Sequence, residues 1–175
     1  MKKLIHLAGL TILLSLISCT STDIKKYAHE KPQLSLEEYF NGPVTGHGLV
    51  MDRSGQVLRR FVVKINCSWV NGVGTLDEDF VWSDGEVSKR IWTLRKLENG
   101  DYEGRADDIL GIARGMTAGN AFNWSYRMDI KTKDSSFRIK FDDWMYLVDD
   151  KVLINEATMS WYGFHAGKIL ISFTK

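Results

Sequence analysis

Residues 122–130 read FNWSYRMDI, and their alternation decides the fold. Successive side chains of a strand point to opposite faces, so Phe122, Trp124, Tyr126, Met128 and Ile130 share one side. Asn123, Ser125, Arg127 and Asp129 take the other. One apolar and one polar face describe an antiparallel sheet covered on one side and wet on the other. Just upstream, TAGNA at 117–121 puts Gly119 and Asn120 where a tight hairpin needs backbone tolerant of positive φ.

The same grammar extends in both directions. Residues 48–69 form two β runs joined at DRSG, and residues 70–106 add more, with turns at NG, SDG and ENGD. Downstream, SFRIKF, WMYLV, KVLINEATMSW and KILISF continue the pattern. Roughly eight to ten strands result, with no long amphipathic helix to build parallel βαβ units. Across FRIKFDDWMYL, at 137–147, the aromatic phase changes between Phe141 and Trp144. A bulge or bend near Asp142 and Asp143 would return Trp144 and Tyr146 to the apolar side. The expectation is all-β: a single antiparallel barrel, with a two-sheet sandwich as competitor. LSLEEYF, at 34–40, favours the barrel. Ser35 and Glu38 form a capping box for a short helix whose Leu36, Tyr39 and Phe40 can plug an open end.

The first eighteen residues read as a signal peptide: Lys2 and Lys3, then an apolar run from Leu4 to about Ile17. The run ends LISC, which resembles the bacterial lipobox, with Cys19 as the lipidated residue. Thr20 follows it rather than an aspartate, so the resemblance implies the periplasmic face of the outer membrane. Residues 19–34 then read as lipidated cysteine and flexible tether, and residues 35–175 as one domain. The chain carries 23 basic and 22 acidic side chains, with no long basic run, which excludes a nucleic-acid footprint. Of its two cysteines, Cys67 lies in an apolar-alternating strand and reads as a buried structural thiol.

Residues 102–124, YEGRADDILGIARGMTAGNAFNW, hold the densest mixture of charge and glycine. There is no lysine-serine ending for a phosphate loop, and the charges exclude a membrane small-residue motif. The glycines mark bends and close backbone approach. Three acidic doublets, 107–108, 142–143 and 149–150, each supply at most one inward carboxylate if they lie in strands. No calcium-loop spacing is present, and no metal or other cofactor is expected. No nucleophile elbow or complete triad is visible either, so no catalytic residue is assigned and enzymatic activity is not favoured. His47 and His165 could meet only if the first and last strands pair, and two histidines make a weak zinc case.

YEGRADDILGIARGMTAGNAFNWSYRM (102–128), FDDWMYLVDD (141–150) and INEATMSWYGFHAGKILISF (154–173) together resemble a family of proteobacterial lipoproteins defined as a domain of unknown function. The resemblance spans nearly the whole chain after the leader. It implies a one-domain lipoprotein of lipocalin-like (calycin-like) barrel form, and it brings no activity with it.

A binding role uses more of the sequence than an enzymatic one. Six tryptophans in a small barrel either fill a core or wall an apolar cavity. The expected ligand is a lipid or other hydrophobic small molecule, handled by a membrane-anchored carrier or sensor. Trp124, Tyr126, Trp144 and Tyr146 are the candidate walls, and Arg105 with Asp107 or Asp143 is the candidate polar handle. An arginine fork suits a carboxylate or phosphate headgroup. The alternative is a structural or interaction lipoprotein with a filled core that binds another envelope protein.

Overall fold

The computed structural model describes residues 22–131 and 135–175. Among these, ten antiparallel strands close a barrel in simple meander order: β1 (Gly42–Asp52), β2 (Val57–Val70), β3 (Val73–Trp82), β4 (Val87–Lys96), β5 (Tyr102–Arg105), β6 (Ala113–Ala118), β7 (Ala121–Lys131), β8 (Ser136–Leu147), β9 (Val152–Trp161) and β10 (Phe164–Thr174). Closure comes from β1 pairing with β10, where Leu49 faces Leu170 and Thr45 faces Thr174. The barrel therefore holds, and the sandwich does not.

The turns fall where the sequence placed them. Asp52 accepts hydrogen bonds from the Ser54 and Gln56 amides and so closes the first hairpin. Asp149 does the same for Lys151 and Val152, which makes the third acidic doublet a turn device. Gly119, at φ 54°, turns the chain between β6 and β7; a side chain there would collide with the backbone carbonyl of Tyr27.

β8 departs from expectation. Its register with β7 and β9 is unbroken, with no bulge at Asp142 or Asp143. Ile139, Phe141, Asp143, Met145 and Leu147 face inward as one continuous phase. Trp144 and Tyr146 consequently point out of the barrel. They are covered there by Tyr27, whose ring centroid lies 6.0 Å from Trp144 and 5.3 Å from Tyr146. The segment read as tether is thus laid on the barrel wall from Thr22 onward. It forms a single 3-10 turn at Ile24–Tyr27, with Ile24 buried and the Leu34 amide bonded to the Gly119 carbonyl. Apolar Ile24 and Tyr27 give it a reason to adhere that its polar neighbours conceal.

The short helix α1 (Leu36–Tyr39) forms with Ser35 as its cap, accepting from the Glu38 amide. It seals one end of the barrel. Leu36 and Phe40 project into the core, the Tyr39 hydroxyl donates to the carbonyls of Lys151 and Phe173, and Trp69 Nε1 donates to the Phe40 carbonyl at 2.8 Å. The opposite end, rimmed by residues 53–56, 83–86, 106–112 and the β9–β10 turn, has no such plug among the described residues. Cys67 is buried and free, and burial pushes its thiol up to about 12, as a structural cysteine requires.

Candidate functional site

Between the plug and the open end lies an interior cavity of about 230 Å³. Aromatic and aliphatic side chains share its walls. Trp92 from β4 and Trp124 from β7 approach to 4.6 Å between centroids, Tyr126 meets Trp92 at 5.4 Å, and Tyr126 stacks on Phe141 at 5.0 Å. Gly104 of β5 makes the packing possible, because a Cβ there would lie 2.6 Å from the Trp124 ring. Leu36 and Phe40 form the floor.

Three carboxyl groups and one guanidinium interrupt this apolar lining: Glu78 of β3, Asp108 of the β5–β6 loop and Asp143 of β8, with Arg90 of β4. Lys89 reaches the cavity's outer lip, but its ammonium pairs outside with Asp77 and Asp79. Register explains how two of the four come together, since Glu78 and Arg90 are direct partners across β3 and β4. The Arg90 guanidinium turns to Asp108, with Nε at 3.0 Å and Nη2 at 2.6 Å from one carboxylate oxygen. The loop that presents Asp108 is held by buried Ile109 bridging to Met128 and by the Leu110 amide on the Arg127 carbonyl. Burial works against the Arg90 charge, but Glu78 and Asp108 outweigh it and keep the guanidinium protonated.

The acids answer differently. Asp143 is buried, and its Oδ2 accepts from Trp124 Nε1 at 3.2 Å and Tyr126 Oη at 3.3 Å. Its Oδ1 has no partner among the described residues, and neither has Glu78 Oε2. Burial pushes both carboxyls up to about 7. For Glu78, Arg90 opposes the rise while Asp108 and Asp143 add to it; for Asp143, the Trp124 and Tyr126 bonds oppose it. Burial and Asp143 together drive the Tyr126 phenol well above its ordinary range.

Of the residues anticipated from sequence, Trp124, Tyr126 and Asp143 meet at this cavity. Trp144 and Tyr146 stand on the outer wall. Arg105, at the open-end tip of β5, faces outward, and Asp107 is exposed in the loop beyond it; neither lines the cavity. The arginine that does is Arg90, and the carboxylate of the GRADD stretch that reaches the lip is Asp108. Glu78 and Arg90 were overlooked, although their phase announces them. Glu78 sits between inward Leu76 and Phe80, and Arg90 precedes inward Trp92 and Leu94. His47 and His165 remain apart, His47 facing Ser172 and His165 facing Ser160. Among the described residues no cluster of three or more metal-ligating side chains occurs.

A closed antiparallel meander with one plugged end and an interior cavity defines a lipocalin-like barrel. Residues 13–175 match the family described as "Protein of unknown function (DUF3833)", and the chain belongs to that family. No curated protein matches the sequence. Among solved structures, the S-type phycobiliprotein lyase CPES from Guillardia theta resembles the chain with a TM-score of 0.57 at 10% identity, covering 88% of this chain and 96% of its own. At that identity the likeness is one of fold.

Proposed function

We propose that the protein holds a small, largely hydrophobic molecule inside the barrel, as a carrier or sensor anchored by lipid on Cys19 at the periplasmic face of the outer membrane. The observation that carries the binding part is the cavity: about 230 Å³, walled by aromatic and aliphatic side chains, floored by α1, with two inward carboxyl oxygens lacking partners. A core built only for stability leaves few buried polar groups unpaired. Concave apolar sites with a few fixed polar groups are the usual form of small-ligand sites. A lipocalin-like barrel fits this use, and the phycobiliprotein lyase shares its architecture. Trp124, Tyr126 and Asp143 are the proposed contacts, with Glu78 and Arg90 beside them.

The binding part is tested by native mass spectrometry of the purified protein, followed by titration with n-octanol read through tryptophan fluorescence. A co-purifying small molecule or saturable uptake is expected, and Ala157→Leu, which fills the cavity from β9, should abolish it. No bound molecule and no saturable uptake would overturn the reading. The anchoring part rests on LISC at 16–19, which lies outside the described residues. Cys19→Ser should abolish incorporation of labelled acyl chains and release the protein from the membrane fraction.

One observation favours a second reading, an interaction module of the envelope. The β9–β10 hairpin exposes Trp161, Tyr162 and Phe164 at 44%, 85% and 76%, an unusual aromatic concentration for a free turn. That role needs no cavity, so it would survive a failure of ligand uptake.

A further inference from the structure

The cavity's hydrogen-bonding inventory is lopsided. Several of its donors are committed among the described residues: Trp124 Nε1 and Tyr126 Oη to Asp143, two of the three guanidinium nitrogens of Arg90 to Asp108, and Asn155 Nδ2 to the Trp144 carbonyl, whereas Trp92 Nε1 is not. The lining atoms that are both sealed from solvent and unpartnered are acceptors, Glu78 Oε2 and Asp143 Oδ1, on residues only 8% and 5% exposed. Charge leans the same way. Three carboxyl groups face one guanidinium, and that guanidinium is already neutralised by Asp108.

An anionic headgroup entering this space would meet two or three carboxyls and no uncommitted cation. An ammonium group would find two acceptors at the inner wall, and the surrounding indole and phenol faces also attract cations. We propose that Glu78 and Asp143 form a headgroup subsite that selects ligands carrying a protonated amine on an apolar body. This rests on the ligand-holding reading of the cavity and reverses the acidic headgroup that Arg105 as a polar handle would imply.

The amine adds what the fold leaves out. Its N–H groups fill the acceptors on Glu78 and Asp143, and its charge favours their ionised forms. The groups facing these acids are Arg90 on β4, Asp108 on the β5–β6 loop, Tyr126 and Trp124 on β7 and Cys67 on β2, while Asp77 and Asp142, their strand neighbours on the outer face, add negative charge through the wall. Helix α1 brings only Leu36 and Phe40 to the cavity. Since Arg90 is the sole cation facing the pair, amine binding should strengthen as pH rises from 5.5 to 8 and both carboxyls lose protons.

The test uses the full chain and three probes that share one alkyl body: n-octylamine, n-octanol and n-octanoate. Their affinities are measured by tryptophan fluorescence and calorimetry at pH 5.5 and 8. At pH 8 octylamine should bind at least about tenfold more tightly than octanoate, as a charge-assisted hydrogen bond implies. Octanol should fall between them. Glu78→Gln and Asp143→Asn, close in size to the native residues, should each reduce the octylamine-to-octanol affinity ratio several-fold. Octanoate equal to or tighter than octylamine would overturn the subsite while leaving a hydrophobic cavity standing. So would an octylamine-to-octanol ratio unchanged by both variants. Failure of all three probes to bind would remove the cavity reading itself, and the subsite with it.

Discussion

At the sealed end of the barrel, Glu37 of α1 is surrounded by partners: Ser35 Oγ at 3.3 Å, Tyr102 Oη at 2.7 Å and Lys96 Nζ at 2.8 Å. Halfway to the open end, Glu78 is more deeply buried and keeps one oxygen without a partner. Both are glutamates on the same small molecule, yet the environment treats them in opposite ways. Burial alone would raise the Glu37 carboxyl, but bonds from Lys96 and Tyr102 prevail and hold it below its ordinary value; at Glu78 burial prevails and carries it up to about 7. The sealed end is finished as structure. The middle of the barrel retains a polar cost that the chain itself does not relieve, and such unrelieved costs cluster at functional sites.

The largest test of this contrast is mechanical. Phe40→Ala removes a buried ring that packs edge-on against Tyr39 and Phe173, and should cost about 3–5 kcal/mol. Trp82→Ala at the open end, where the ring is only half-buried beneath Arg59, should cost less than about 2 kcal/mol. Urea denaturation compares them directly. Equal losses would mean that the open end is as much a part of the core as the plug.

The next test is the sign of pH dependence. Asp143 rises from 3.8, and Glu78 from 4.5, to about 7, so the folded protein takes up protons between about pH 4 and 7. Stability from these two groups is therefore fully present at low pH and lost as pH climbs through 7. The upper bound is about 4 kcal/mol for Asp143 and about 3 kcal/mol for Glu78. Glu37 carries the opposite sign: its contribution is present above its unfolded value and lost as pH falls. Asp143→Asn should flatten the decline between pH 5 and 8 in denaturant midpoints, whereas Glu37→Gln should leave that window unchanged and alter only the acid limb. A wild-type midpoint that rises from pH 5 to 8 would break the comparison.

A smaller effect is expected at the link between plug and wall. Tyr102→Phe deletes one short bond to Glu37 while keeping the buried ring against Phe122. It should cost about 1–2 kcal/mol, because the acceptor is charged but Lys96 and Ser35 remain beside it. The same measurement on Tyr126→Phe sharpens the contrast. Its partner Asp143 would keep only Trp124, so the loss should appear chiefly above pH 7, where the carboxylate is ionised.

What could be read in advance follows from how local each signal is. The β7 alternation, the hairpin turns and the Ser35 cap are local, and the structure contains them all. Trp144 and Tyr146 mislead because an aromatic side chain on a half-covered sheet reads as inward. Their true cover is Tyr27, more than a hundred residues earlier, and no local pattern encodes that contact. The bend assumed at Asp142 and Asp143 followed from the same assumption, and without it Asp143 falls naturally into the inward phase. Glu78 and Arg90 are legible by phase, although the sequence reading assigns them no role. A charged residue that keeps the beat of Leu76 and Phe80, or of Trp92 and Leu94, is the signal a barrel interior gives.

The smallest expected effect concerns the arginine that sequence put forward. Arg105 is exposed on the outer face of β5, opposite Thr93, and among the described residues its guanidinium has no hydrogen bond or ion pair. Arg105→Ala should therefore change stability by less than about 0.5 kcal/mol, as surface substitutions usually do. It should leave octanol and octylamine uptake within error of wild type. Arg90→Ala is the informative partner. It strips Asp108 of its ion pair and leaves Glu78 and Asp143 without a facing cation, so both carboxyls should titrate still higher. Amine binding would then shift to higher pH instead of vanishing, because the acceptors remain and only their ionisation is harder. A uniform loss of all three alkyl probes in Arg90→Ala would show that the arginine shapes the cavity rather than tunes its acids. A selective loss of octanoate in Arg105→Ala would restore the outer arginine to the site and make the open rim, not the inner wall, the place where a headgroup is read.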